Sequence, residues 1–199
     1  MKPARTLVAL GLGTLATLAA VSTPALAQES GSARAATSRH CVVDTDNGTK
    51  SCFSTYRESV AFATGGRVTD APNDTRTAVL DKKFQERLSG PRSEHGVKLA
   101  KNATSARAGA QSVLGTIYGD KDFGGGSVAL LGSGGCKRYS EFANLYEWND
   151  RISSVSSGLC NITLHQHSDF LGFSQTYSGA VPYVGDAMND QASSVSFTS

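Results

Sequence analysis

The sequence predicts an all-β fold: a β-sandwich of two Greek-key motifs, preceded by a small hairpin-plus-helix region. Three observations point there. From Val113 onward the chain breaks into short alternating apolar and polar runs between glycine-rich turns, the texture of antiparallel strands. Two six-residue strings share one pattern, Asn149-Asp150-Arg151-Ile152-Ser153-Ser154 and Asn189-Asp190-Gln191-Ala192-Ser193-Ser194. Matching landmarks precede each string: Tyr118, Phe123 and Gly125 in one copy keep the spacing of His165, Phe170 and Gly172 in the other. Two copies of about forty residues suit paired Greek keys, whereas stacked solenoids and propellers need at least three units.

Residues 1–27 read as a secretory signal. Lys2 and Arg5 precede an apolar run from Leu7 to Val21, and Ala25-Leu26-Ala27 offers a small-x-small cleavage site. The run is shorter than the ~20 residues of a spanning helix. The expected mature protein is therefore secreted and extracellular, with no membrane partner. Residues 28–39 are Ser, Ala, Arg and Gly with little to bury, and are expected to be a disordered leader.

Residues 40–90 are expected to form the small hairpin and helix region. Cys41-Val42-Val43 and Cys52-Phe53 flank the turn signal Asp46-Asn47-Gly48. A turn centred on Asp46-Asn47 sets Cys41 across from Cys52, while one centred on Asn47-Gly48 sets it across from Ser54. Asp44 to Gly48 also has the look of a calcium loop of the EF-hand type. That reading fails, because Gly48 falls at the fifth position rather than the sixth, and Thr55 stands where a bidentate Glu is required. Thr55-Tyr56-Arg57-Glu58 is a capping box opening a helix that Gly65-Gly66 closes. A second helix is predicted from about Asp74 to Leu88, on the recurrence of Leu80, Phe84 and Leu88. Residues 91–112, rich in Ala, Ser, Lys and Gly, are expected to be a linker to the β domain at 113–199.

Within that domain the front landmarks are offset by 47 residues and the strings by 40, so the first copy holds about seven extra residues, placed between Gly132 and Tyr146. Gly115 and Ile117 align with Ile162 and Leu164, and Val155 with Val195, preserving an inward strand face.

Four cysteines in an exported chain favour two disulfides. Three connectivities are open; the economical one joins Cys41 to Cys52 and Cys136 to Cys160, one bridge per half. No Cys pair has the Cys-x-x-Cys spacing of a zinc site.

Charge is unevenly placed. Residues 28–111 carry 13 Lys+Arg and 9 Asp+Glu, and residues 112–199 carry 4 and 8, so the halves are +4 and −4 and cancel. That balance speaks against nucleic acid, which selects a basic face. Each six-residue string instead begins with amide or carboxylate oxygens and ends with hydroxyls, a hard-oxygen set suited to Ca²⁺.

Taken together, Tyr118-x₄-Phe123-x-Gly125 with Asn149-Asp150-x-x-Ser153-Ser154, and His165-x₄-Phe170-x-Gly172 with Asn189-Asp190-x-x-Ser193-Ser194, resemble the microbial Ca²⁺-binding βγ-crystallin domain over roughly Val113 to Ser199. The resemblance implies hairpins folded over their own sheets, with Phe123 and Phe170 packed beneath and Ser154 and Ser194 hydrogen-bonded nearby. It also implies two Ca²⁺ sites of modest affinity with ligands exchanged between repeats. These comprise the side chains of Asp150, Ser153, Asp190 and Ser193, the carbonyls of Arg151 and Gln191, and hairpin carbonyls near Gly119 and Gln166. Asn149 and Asn189 are expected to orient the loops. His165 stands where the family carries an aromatic residue, so the site that uses its hairpin is expected to bind less tightly.

No catalytic motif is present: no His-Glu-x-x-His, no Gly-x-Ser-x-Gly, and no Gly-Lys-Ser/Thr after Gly124-Gly125-Gly126. His40, in the leader, and His95, in the linker, are poor scaffolds for acid–base chemistry. The implied function is a non-enzymatic, calcium-stabilised secreted protein, expected to be a monomer. The alternative is a secreted metalloprotease inhibitor, because small bacterial inhibitors of that kind share a similar fold and Gly132-Ser133-Gly134-Gly135-Cys136 could form a pinned inhibitory loop.

Overall fold

In the computed structural model, residues 39–90, 111–137, 141–142 and 144–199 are described. All lie in one compact unit, Ala36–Ser199. The signal segment and nearly all of the leader and linker fall outside the described residues.

Among the described residues ten strands form two sheets. The larger runs Lys50–Phe53 (β2), His40–Asp44 (β1), Ser127–Gly132 (β4), Ser112–Tyr118 (β3), Ser154–Ser157 (β6) and Ala180–Val181 (β9), and the smaller Glu141–Phe142 (β5), Ser194–Thr198 (β10), Asn161–His165 (β7) and Ser174–Tyr177 (β8). The first repeat supplies β3 (Ser112–Tyr118), β4 (Ser127–Gly132), β5 (Glu141–Phe142) and β6 (Ser154–Ser157). The second supplies β7 (Asn161–His165), β8 (Ser174–Tyr177), β9 (Ala180–Val181) and β10 (Ser194–Thr198). Each repeat lends its third strand to the other's sheet: β5 pairs with β10, and β9 with β6. This exchange makes two Greek keys into one sandwich. The extra residues of the first copy fall between β4 and β5, and there Cys136 is bridged to Cys160.

The interior is built from the inward faces of both sheets. Leu114, Ile117, Leu130, Ile152, Val155, Ile162, Leu164, Val195 and Phe197 share one buried cluster. Gly115 belongs to this geometry. A Cβ there would stand 2.5 Å from Ile162 Cδ1, so the missing side chain is the space that Ile162 fills.

The N-terminal elements are part of the same body. β1 (His40–Asp44) pairs with β2 (Lys50–Phe53) in the register that sets Cys41 opposite Cys52, and those two are bridged. β1 also lies parallel to β4, from His40 opposite Ser127 to Asp44 opposite Leu131. His40 is therefore a buried strand residue and not part of the leader. All five β1 residues are buried, as expected for a strand covered on both faces.

Helix α1 (Tyr56–Ala63) starts at the predicted capping box, with Thr55 accepting from the Glu58 amide and Glu58 answering at the Thr55 amide. The single second helix is corrected to two, α2 (Thr75–Leu80) and α3 (Lys82–Ser89). Asp81 is extended and caps α3 by accepting from the Lys83 and Phe84 amides, breaking the four-residue stripe. Phe84 and Leu88 are buried, but Leu80 is exposed. The three helices cover the outer face of the larger sheet, where Tyr56, Val60, Val79 and Phe84 pack with Val42, Tyr118, Phe123 and Leu131. Burial pushes the Tyr56 phenol up to about 12 and raises Tyr118 as well, so both rings stay neutral.

Candidate functional site

The two hairpins are built alike. In the first, the Gly119 amide donates to the Gly126 carbonyl at 3.0 Å and the Asp120 amide to the Gly124 carbonyl at 3.2 Å. In the second, the Gln166 amide donates to the Phe173 carbonyl and the His167 amide to the Leu171 carbonyl, both at 3.0 Å. Left-handed backbone recurs at the same points: Asp122, Phe123 and Gly125 at φ 55, 64 and 71, and Asp169, Phe170 and Gly172 at φ 58, 62 and 78. Glycine is required at the last of these. A Cβ on Gly125 would come within 2.9 Å of the Asp120 carboxyl, and one on Gly172 within 2.7 Å of the His167 ring.

The sixth-position serines latch these hairpins. Ser154 Oγ donates to the Asp120 carbonyl at 2.6 Å and accepts from the Phe123 amide at 3.0 Å. Ser194 Oγ donates to the His167 carbonyl at 2.6 Å and accepts from the Phe170 amide at 3.1 Å. Despite its different chemistry, His165 meets Phe170 edge-on at 5.5 Å, as Tyr118 meets Phe123 at 5.6 Å. Its Nε2 lies 2.9 Å from Ser196 Oγ. The second hairpin is thus hydrogen-bonded like the first.

The Asn-Asp-x-x-Ser stretches lie against these hairpins. The Ser153 amide donates to the Tyr118 carbonyl at 3.0 Å and the Ser193 amide to the His165 carbonyl at 2.8 Å. Ser193 Oγ donates to the Gln166 carbonyl at 2.7 Å, joining two oxygens named from sequence. The Arg151 carbonyl lies 3.8 Å from the position a Gly119 Cβ would take, so these two also come together. Asn149 Nδ2 donates to Asp150 Oδ2 at 2.8 Å, and Asn189 Nδ2 to Asp190 Oδ2 at 2.7 Å. Both aspartates are exposed and left-handed, at φ 56 and 54. Asn189 Oδ1 is buried with no hydrogen-bond partner among the described residues.

Asp150, Arg151, Asp190 and Gly119 line one cleft of about 770 Å³. Arg39, Lys50 and Glu147 also reach this cleft, and sequence reasoning missed them. Lys50 forms an ion pair with Glu147 and holds its carboxyl below the usual glutamate range. No local motif could have announced Arg39 and Lys50, because the parallel pairing of β1 with β4 brings the hairpin here, whereas Glu147 stands two residues before Asn149. Trp148 lies in the same wall, with the Arg151 guanidinium 5.8 Å from its ring centre.

The donor set is entirely oxygen: carboxylate, hydroxyl and carbonyl. Among the described residues no three His, Cys, Asp or Glu side chains are grouped to hold a metal. Oxygen donors of these kinds are the ones a hard cation selects, and the unsatisfied Asn189 oxygen is one more acceptor beside the second loop. Among the described residues no helix is long and apolar enough to cross a membrane. The two disulfides fit an oxidising compartment.

No family model matches the chain, and no curated protein does. Solved structures similar to it are bacterial βγ-crystallin domains. One from Clostridium beijerinckii is 27% identical over 43% of this chain and 97% of that chain, with a TM-score of 0.35. One from Flavobacterium johnsoniae is 24% identical over 43% of this chain and 94% of that chain, with a TM-score of 0.35. A clostrillin double mutant in complex with nickel is 27% identical over 43% of this chain and 97% of that chain, with a TM-score of 0.35.

Proposed function

We propose that this is a secreted, non-enzymatic, monomeric calcium-binding protein of the βγ-crystallin type, with one Ca²⁺ held at each Asn-Asp-x-x-Ser loop. The observation that carries the reading is the paired loop geometry. The Asp150 amide donates to the Ala192 carbonyl and the Asp190 amide to the Ile152 carbonyl, while each loop also hydrogen-bonds the hairpin of its own repeat. The two loops are thus tied to each other and to their hairpins in the same way, which supports a matching role for both. Asp150, Ser153, Asp190 and Ser193 would supply side chains, and Arg151, Gln191, Gly119 and Gln166 carbonyls, with Asn149 and Asn189 steering the carboxylates. Bound Ca²⁺ would supply charge neutralisation between segments distant in sequence, which is a stabilising role.

If the ions bind only the folded chain, stability rises by roughly 2.7 kcal/mol at a hundredfold excess over Kd. Trp148 is the single tryptophan and adjoins the first loop. Calcium is expected to change its emission, raise the melting temperature and titrate calorimetrically to two ions, with EDTA reversing each effect. A flat calorimetric titration at millimolar Ca²⁺ would overturn the reading.

One observation favours the protease-inhibitor alternative. The segment after β4 is pinned twice, by Cys136–Cys160 and by the Ser133 amide donating to Asp46 Oδ2 at 2.9 Å. Restrained loops of this kind suit protease binding. Inhibition of secreted metalloproteases that vanishes in Cys136→Ser/Cys160→Ser protein, at unchanged Ca²⁺ affinity, would establish it.

A further inference from the structure

The cleft at the first loop carries charge of both signs, and the cations are the unexpected part. Arg39, Lys50 and Arg151 face a cleft whose acidic lining is Asp120, Glu147, Asp150 and Asp190. Lys50 is engaged by Glu147. The Arg151 guanidinium lies over Trp148, with Nη1 3.3 Å from the Glu147 carbonyl. Arg39 is exposed, and among the described residues its guanidinium has no ion-pair or hydrogen-bond partner. The second repeat contributes no cation of its own: from Ile152 to Ser199 the sequence contains no Lys or Arg, Gln191 stands where the first loop has Arg151, and of the second-loop donors only Asp190 reaches this cleft.

Guanidinium groups beside a cation site oppose the cation. An anion resolves the conflict. Ca²⁺ takes six to eight oxygens, so an ion held by one carboxylate, one hydroxyl and a few carbonyls of this chain would accept further oxygens from a ligand. A carboxylate or phosphate can place one oxygen on the ion and offer another to the planar donor fork of an arginine. The cleft, at about 770 Å³, has room for a ligand of monosaccharide size.

We propose that the first-loop site is a ternary site, in which Ca²⁺ and an oxyanion-bearing small molecule bind together, with Arg39 and Arg151 as the anion-binding residues. This rests on the calcium reading. The oxyanion is the carboxylate of an acidic sugar or the phosphate of a monoester, and the two sources are separable by experiment.

Ca²⁺ is titrated calorimetrically into the full chain at matched free Ca²⁺, in chloride alone, with galacturonate, or with glycerol 2-phosphate. One of two ions is expected to bind about tenfold tighter with the effective probe, and by reciprocity Ca²⁺ tightens that probe by the same factor. The probe that acts identifies the source. In Arg39→Gln/Arg151→Gln protein the coupling disappears, while the second ion binds as before. Two ions binding with no response to either probe would overturn the proposal and leave the calcium reading intact. Arginine variants that bind Ca²⁺ more tightly whether or not a probe is present would also overturn it, since the flank would then only repel the cation. An absence of calcium heat in every arm, by contrast, defeats the calcium reading itself.

Discussion

Asp150 and Asp190 are tied into each other's loops by reciprocal backbone bonds: the Asp150 amide donates to the Ala192 carbonyl at 3.0 Å and the Asp190 amide to the Ile152 carbonyl at 3.1 Å. Both hold left-handed backbone, at φ 56 and 54. Any test of their carboxylates must respect that conformation. Alanine there adds strain of roughly 1 kcal/mol per site, whereas glycine removes the side chain at little steric cost. We predict that Asp150→Gly/Asp190→Gly protein loses the calcium-induced rise in melting temperature. In EDTA it should still melt above Asp150→Ala/Asp190→Ala protein. If the glycine pair keeps the full calcium shift, the carboxylates are not ligands.

The serine latches give a second prediction, because their surroundings differ. Ser154 holds the hairpin of Phe123, which is 2% exposed and whose carbonyl accepts from Thr75 Oγ1 in the helical layer. Ser194 holds the hairpin of Phe170, which is only half-buried. Removing either hydroxyl strands an amide and a carbonyl, at a cost of roughly 1–3 kcal/mol. Water can replace Ser194 more readily than Ser154. Urea denaturation is therefore expected to show Ser154→Ala at the upper end of that range and Ser194→Ala at the lower end. Equal losses would mean that the helical layer does not seal the first hairpin.

What the chain announces and what it conceals follow from the range of each interaction. Hairpin landmarks, capping box and Asn-Asp loops act over a few residues, so spacing alone located them. Asp81 was also locally readable, as Asp81-Lys82-Lys83-Phe84 is an N-cap pattern, but the Leu80-Phe84-Leu88 stripe outweighed it. The pairing of β1 with β4 was not readable, since it joins residues 87 apart such as His40 and Ser127. The only hint was that Cys41-Val42-Val43 runs apolar without alternation, the mark of a strand covered on both sides. Concealed with it was the cationic wall of the cleft. The candidate side-chain donors belong to the two local strings, but Arg39 and Lys50 arrive with the N-terminal hairpin.

Gly115 and Ile162 occupy matching positions in the two repeats and meet across the core. With a Cβ contact of 2.5 Å to Ile162 Cδ1, Gly115→Ala overpacks the centre of the sandwich. The expected loss is roughly 1–3 kcal/mol. Ile162→Val alone removes the nearest atom and costs about 0.5–1.5 kcal/mol. The double variant is predicted to lose less than the sum, because the valine removes the closer of the two clashing atoms, leaving only Cγ1 at 2.8 Å. Strict additivity in chemical denaturation would show that the clash relaxes elsewhere.

His40 makes stability depend on pH. The ring is buried at the start of β1, with Nδ1 2.9 Å from Ser127 Oγ and its edge against Tyr56 at 5.6 Å between ring centres. Burial lowers its pKa below the ordinary histidine value of 6.5. Tyr56, pushed up to about 12, stays neutral and offers no counter-charge. Above 6.5 the histidine is neutral both folded and unfolded, and it favours neither state. As pH falls below that value the unfolded chain takes up a proton that the folded chain resists, so stability is lost toward and through the lowered folded pKa. The melting temperature is expected to drop between pH 7 and pH 5. His40→Gln keeps a hydrogen-bonding partner for Ser127 but cannot titrate, so its drop over the same interval should be smaller. Parallel profiles for the two proteins would assign the acid sensitivity to other groups.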